Sequence, residues 1–477
     1  MKRIAAWRLA RATIADMSAP LSASLRRDLG AVESYATLLG MLIGAGIFKV
    51  TSDAWELTGS SVILGYLVLA PAILATSVAY SVFLSTPLGR EPGGEYTHLS
   101  RTFGGYGLAF VGVWLKVISY IGALAYLARA LADYLIELLG GALPKSAAIP
   151  LAAASLLFFY VIHVAGVRWF GRIQVWMCIF LGISIVVLVL PGLFNIHVAN
   201  YKPFFTHGAG GFAASLPLVF FAYAGFESLA QTAGEVRDST HRLPRIFLRG
   251  ILATTVIYFL MSAVAFGVLP GAELRRSAAP MAEAASRYLP IGAAWFVTFG
   301  AVMALTTSVN ATMLVPSRVG IMLAEDGLAP AFIGRIAKKT GTPIVGLTLT
   351  LIVTLLLLIS GQISLALNIA VFALVVLYFL HSVALLMLPR ANPELYASVT
   401  LRMPLIAQRI AAIVSLLFMG TLIVVQLAGD VSVLRRLSFR ERVENASLTT
   451  IELVIFWGAI GAILYLLAAR KRRTHTA

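Results

Sequence analysis

"GMLIGAGIFKV", residues 40–50, decides how this chain is read. Gly40, Gly44 and Gly46 fall within seven residues, with Lys49 three positions on, and they interrupt a run that otherwise has the composition of a membrane helix. Small residues at such spacing let transmembrane backbones approach closely. However, Gly44-Ala45-Gly46 sits near the middle of its run, where an unwound turn leaves backbone groups in a medium that does not hydrate them. Such a break is tolerated only beside a cavity or a ligand. The half-helix that follows then starts with free N–H groups at a positive dipole end, a setting for an anionic group such as a carboxylate.

The rest of the chain supplies the membrane. Of its 477 residues, 59 % are hydrophobic and 12 % charged, with a mean hydropathy of +0.89. Uncharged stretches of about 20 residues recur, predicting an all-α membrane protein of about twelve transmembrane helices with no soluble domain. Of the 37 lysines and arginines, 25 fall on one side of this topology and ten on the other, which predicts that both termini are cytoplasmic. The net charge of +16 therefore reads as topology and contact with anionic membrane lipids. No basic–aromatic module accompanies it, so nucleic acid is not an expected partner. Cys178, the single cysteine, lies in the fifth span and reads as a small buried apolar residue. Residues 1–30 are expected to form a cytoplasmic segment on the membrane surface. The sequon around Asn445 carries no weight, since such triplets arise by chance.

A second interrupted helix is expected at "FFAYAGFESLAQTAGE", residues 220–235, where Gly225 breaks the apolar pattern just before Glu227. Here the preceding half-helix ends in free carbonyls, which suit a cation. A carboxylate at one break and an ammonium at the other describe an amino acid. Each break lies in the first span of a five-span block, 34–194 and 210–388, and five being odd, the second block crosses the membrane in the opposite sense to the first. The division expected is 1–30, then a first inverted repeat over 31–200, a second over 201–390, and two further helices with a cytoplasmic tail over 391–477.

With "GMLIGAGIF" (40–48), "PLGREPGGEYTHLSRTFG" (87–104), "FFAYAGFES" (220–228), "GEVRDSTHRLPRIF" (234–247) and "SRVGIMLAEDGLAPAFIGRIAKKTGTP" (317–343) in this order, the chain resembles the amino acid–polyamine–organocation superfamily, and within it the bacterial-type amino acid permeases. The resemblance implies a five-plus-five inverted repeat with discontinuous first and sixth helices, working by alternating access around a midplane site. It implies that the amides of Ala45, Gly46 and Ile47, beside Gly44, hold a substrate carboxylate. The carbonyls of Phe221, Ala222 and Ala224, beside Gly225, would hold the α-amino group, with the Phe221 ring closing over the substrate from outside. It also implies a multi-pass protein of a bacterial-type inner membrane, acting as symporter or antiporter, with a proton or an exchanged substrate as partner. Proton-coupled relatives carry a lysine in the fifth span in place of a sodium ion, and the register of "GRIQVWMCIFLGIS" puts Leu181 there.

Charges within the membrane need a partner or a function. Lys116 falls about 15 Å into the third span at helical rise, and is expected either to substitute for a coupling cation or to snorkel or pair structurally. Glu227 is expected either to couple protonation to transport, as in some exchangers of the family, or to bond unwound backbone. Arg129 and Asp133, and Lys49 and Asp53, have the spacing of local ion pairs, with Glu56 a turn beyond. Thr306, Thr307 and Ser308 fall where sodium-coupled relatives supply hydroxyl ligands, although such side chains commonly bond their own backbone.

No nucleophile–base arrangement, phosphate loop or metal-spaced histidine pair is present, so no enzyme activity, cofactor or metal site is expected. A channel is ordinarily built as a symmetric oligomer around a filter. The remaining alternatives are an amino acid sensor that keeps the transporter fold, which would be expected to carry an added signalling segment beyond "RKRRTHTA", and a polyamine or amine exchanger.

Overall fold

In hydrocarbon every backbone polar group needs a partner within the protein, and a continuous helix provides this residue by residue. The computed structural model describes residues 25–44, 46–140, 142–277, 280–361, 363–444 and 448–476. Among them the structure is helical, with one isolated β-bridge between Leu29 and Val236. The principal helices are α1 (Ala31–Leu42), α2 (Val62–Leu84), α3 (Glu95–Phe103), α4 (Gly107–Leu138), α5 (Ala148–Ala165), α6 (Val167–Gly192) and α7 (Gly208–Phe220). They continue with α8 (Ser228–Gln231), α9 (Ser239–Val268), α10 (Ile291–Glu325), α11 (Ile344–Ile359), α12 (Ile363–Ala391), α13 (Leu405–Arg436) and α14 (Thr450–Thr476).

Eleven described segments are long and apolar enough to cross a membrane, against the twelve expected. The difference is the ninth, α11, which has 16 residues. At helical rise that is about 24 Å, short of a hydrocarbon core of about 30 Å. The chain is an integral, multi-pass membrane protein.

Helix α4 runs along α10 and α12, α9 packs on α2, and α6 on α10 and α1. These helices enclose the centre: the apolar window of α10 is 83 % buried, while that of α14 is 6 % buried. Helix α14 is therefore peripheral. It is clasped to α4 by two indoles, Trp114 donating to the Trp457 carbonyl at 2.7 Å and Trp457 to the Trp114 carbonyl at 2.8 Å, with their rings stacked at 4.3 Å.

Most of the expected N-terminal surface segment, residues 1–24, lies outside the described residues, as does Asn445. The last part of that segment is strapped down. The Leu29 amide donates to the Glu235 carbonyl at 3.0 Å and the Arg237 amide to the Leu29 carbonyl at 2.9 Å, tying the entry of α1 to the chain after α8.

Candidate functional site

Both helix interruptions are present. Helix α1 stops at Leu42 and helical geometry resumes over Gly46–Val50 as one wide turn. Helix α7 stops at Phe220, tightens over Phe221–Tyr223, and α8 begins only at Ser228. At the second break Gly225 has φ +104°, which side-chain-bearing residues rarely adopt.

The two breaks are in contact. A Cβ on Gly46 would overlap the Ala222 Cα, and one on Gly44 would overlap the Ser308 hydroxyl. The packing reading and the site reading of these glycines are thus one requirement: the unwound segments meet because Gly46 has no side chain where Ala222 approaches.

Between the breaks lies a narrow cavity, with Gly44, Gly46, Phe221, Ala224 and Gly225 in its wall. Met41, Ser119, Ala123, Leu127 and Leu374 contribute from α1, α4 and α12. Water centres have about 20 Å³ to occupy, room for a water or two. A larger ligand enters only if the walls part.

The other expected contact residues are placed differently. Ala45 lies outside the described residues. Ile47 and Ala222 are buried beside the cavity rather than in its wall. The Ile47 amide donates to the Gly44 carbonyl at 3.3 Å, and the Ala222 carbonyl accepts from the Tyr258 hydroxyl at 2.6 Å. The Phe221 carbonyl accepts from the Ala224 amide at 3.1 Å. Each carbonyl has a second lone pair for another donor. The Phe221 ring meets Tyr126 of α4 edge-on at 5.6 Å.

Sequence reasoning missed Tyr258. Its hydroxyl lies between the Ala222 carbonyl of one break and the Leu42 carbonyl of the other. With one hydrogen to give, it serves one at a time while holding both close. Tyr66 donates to the Gly46 carbonyl at 3.1 Å and shares a 2.6 Å hydrogen bond with Thr51, so a second hydroxyl steadies the first break. Only the glycine pattern of the breaks was visible in the sequence; a tyrosine in an apolar helix carries no mark of its partner.

Glu227 is fully buried and triply held, by Tyr120 of α4 at 2.7 Å, by Tyr378 of α12, and by the Gly225 amide at 3.0 Å. It thus bonds unwound backbone, and it also joins the second break to α4 and α12. Lys116 has a partner: its ammonium lies 2.6 Å from the Glu95 carboxylate, which also accepts from Gln231 at 2.9 Å and from Tyr80. The ammonium is 5.4 Å from the centre of the Tyr120 ring, so the Lys116–Glu95 and Glu227 clusters adjoin. Beside them His98 and His381 share a 2.9 Å hydrogen bond. Burial, with the nearby Lys116 charge, pushes His98 down to about 3, so it is neutral at ordinary pH. Glu95 was visible in "PGGEY" but its role was not, because 21 residues and a turn separate it from Lys116.

Of the three α10 hydroxyls at 306–308, two reach α1. Thr306 donates to the Met303 carbonyl of its own helix at 2.8 Å. Thr307 donates to the carbonyls of Gly40 at 2.8 Å and Ala304 at 2.7 Å, and Ser308 to that of Gly40 at 2.9 Å. The α6 side chains that close on Gly40 are Gln174 and Cys178, with Leu181 a turn further on. Neither is a cation. Arg129 and Asp133 pair at 3.1 Å. Glu56 pairs with Arg275, and the Lys49 side chain lies outside the described ones. Arg318 and Glu235 form a further buried pair at 3.0 Å that the sequence did not suggest. Among the described residues no three metal-ligating side chains gather.

The profile of the amino acid permease family matches residues 29–464. Similar proteins include the branched-chain amino acid permease BcaP of Bacillus subtilis, 25 % identical over 68 % of this chain and 72 % of that one. Cationic amino acid transporter 9, chloroplastic, of Arabidopsis thaliana is 29 % identical over 66 % of this chain, which spans 58 % of that protein. The methylthioribose transporter of Bacillus subtilis is 26 % identical over 94 % and 95 % of the two chains.

Proposed function

The chain belongs to the amino acid permease family, whose members are transporters and not enzymes, and from that premise we propose that it moves amino acids by alternating access about the cavity between its two helix breaks. The observation that carries this reading is the direct contact of the two breaks, with Gly46 against Ala222 and Tyr258 between them. One break offers amide groups to a carboxylate and the other offers carbonyls to an ammonium. Because the cavity has room for little more than water, the cycle requires one group of helices to rock relative to another. Each half of the five-plus-five division, 31–200 and 201–390, contributes one break to the cavity, with α13 and α14 outside it. Both termini are assigned to the cytoplasm of a bacterial-type inner membrane, on the distribution of lysine and arginine.

Coupling is assigned to a proton or to exchange, with Glu227 and the adjoining Lys116–Glu95 pair as the charged elements. The competing element is the oxygen cluster of Thr307, Ser308 and the Gly40 carbonyl, which has the ligand chemistry of a sodium site. Uptake by purified protein in liposomes, with sodium replaced by choline at fixed pH, tests both. Sodium-independent uptake fits the proton or exchange reading, whereas loss of uptake in choline transfers coupling to the hydroxyls. Ligand binding without uptake or exchange would make the protein a sensor that keeps this fold.

A further inference from the structure

Once the two breaks take the carboxylate and the ammonium, what remains of the cavity wall faces the substrate's side chain. That remainder is apolar: Met41 and Leu42 from α1, Ala123 and Leu127 one turn apart on α4, and Leu374 from α12. Three hydroxyl-bearing residues also line it, and each spends its hydrogen on the protein. Ser119 donates to the Ala370 carbonyl at 2.8 Å, Tyr120 to Glu227 at 2.7 Å, and Ser308 to the Gly40 carbonyl at 2.9 Å. No charged side chain is part of the wall among the described residues.

The two carboxylates nearest the site are also committed. Glu227 accepts from Tyr120, Tyr378 and the Gly225 amide, and Glu95 from Lys116, Gln231 and Tyr80. A lysine or arginine side chain seated against Ala123, Leu127 and Leu374 would set its charge against carbon with no counter-ion in that wall, and a glutamate would lack a cation there. An aliphatic side chain meets only carbon and satisfied hydroxyls, and gains by leaving water.

Resting on the reading of this cavity as an amino acid site, we propose that the substrate is an amino acid with an uncharged, aliphatic side chain seated against Ala123, Leu127 and Leu374. Ala123 limits its size, because the methyl group is the smallest side chain on that wall and any enlargement there takes space from the ligand.

The test is a thermal-shift titration of the purified full chain with leucine, isoleucine, valine, alanine, lysine, arginine, glutamate, putrescine and methylthioribose, each over the same concentration range. A ligand of the folded state raises the melting temperature by mass action. Stabilisation by the aliphatic amino acids at concentrations at least about 10-fold below those needed for lysine, arginine or glutamate is expected, since single methylenes already discriminate 10-fold or more in apolar pockets. Stabilisation by lysine or arginine at leucine's concentration or lower overturns the proposal while leaving the amino acid site standing. Stabilisation by putrescine or methylthioribose and by none of the amino acids overturns the amino acid reading itself.

Ala123→Val supplies a second measurement, its melting temperature without ligand reporting that it folds. It should weaken isoleucine and leucine about 10-fold and alanine much less. Equal loss for all three would remove Ala123 from the side-chain wall.

Discussion

Lys116 and Glu95 form an ion pair at 2.6 Å with about 1 % of either side chain exposed. Removing one member of a buried pair leaves an uncompensated charge and costs about 3–5 kcal/mol, whereas replacing both with apolar groups is often near neutral. Lys116→Ala and Glu95→Ala should each lower stability by about that amount, and the double variant Glu95→Leu/Lys116→Met should recover most of it. Melting temperatures of the four proteins test this. Transport by a stable double variant would show that the pair is architectural, and its loss would place the pair in the transport cycle.

Gly46 faces the Ala222 backbone with no space for a methyl group. Gly46→Ala must therefore push the two breaks apart, and overpacking of this kind costs roughly 1–3 kcal/mol. The expected outcome is less folded protein together with weakened ligand binding, measured as the monodisperse yield and the ligand-induced shift of the same preparation. Full yield with full binding would show that the breaks are not held in contact.

Tyr258→Phe keeps the ring, which packs 5.1 Å from Tyr66 and 5.2 Å from Tyr223, and deletes only the hydroxyl between the Leu42 and Ala222 carbonyls. Buried acceptors left without their donor cost about 1–3 kcal/mol. If the hydroxyl positions the carbonyls for substrate, affinity should fall roughly 5-fold or more, in proportion to that cost. A lower melting temperature with unchanged affinity would confine Tyr258 to a structural role.

Much of this site was legible because glycine and charge are conspicuous in a membrane chain. The breaks at Gly44–Gly46 and Gly225 follow from glycines in mid-run, and the Arg129–Asp133 pair from helical spacing. The ninth apolar run ends at Ser360-Gly361, and the helix within it, Ile344–Ile359, has 16 residues, short for a full crossing. What remained hidden is what depends on contacts between distant helices. Glu95 reaches Lys116 around a turn, Tyr258 spans two breaks from α9, and Gln174 closes on Gly40 from α6.

His98 is buried and neutral, its imidazole pushed down to about 3 from the ordinary value near 6.5. Because the unfolded chain binds this proton more readily, the neutral folded form contributes stability that is fully present above about pH 6.5 and is lost as pH falls towards 3. At pH 5 the loss is on the order of 2 kcal/mol. His98→Gln, which retains hydrogen-bonding groups towards His381 and does not titrate, should flatten the decline in melting temperature between pH 7 and pH 5. A decline as steep as that of wild type would assign the acid sensitivity to other groups.

The last expectation concerns Glu227, held by Tyr120, Tyr378 and the Gly225 amide and adjoining the Lys116–Glu95 pair. With His98 neutral, the described groups of this cluster contain two carboxylates and one ammonium. Ionisation of both acids leaves one buried negative charge in excess, which a proton or a substrate ammonium compensates. If the two exchange there, uptake must depend on pH through Glu227. Glu227→Gln keeps the shape and cannot ionise, so uptake by the variant in liposomes should vary less between about pH 5 and 8 than uptake by wild type. Substrate binding should persist under the proposed mode, in which the unwound backbone takes the carboxylate and the ammonium. A pH profile identical to that of wild type would leave Glu227 as a tie between the second break and its neighbouring helices, and coupling would have to be sought elsewhere in the protein.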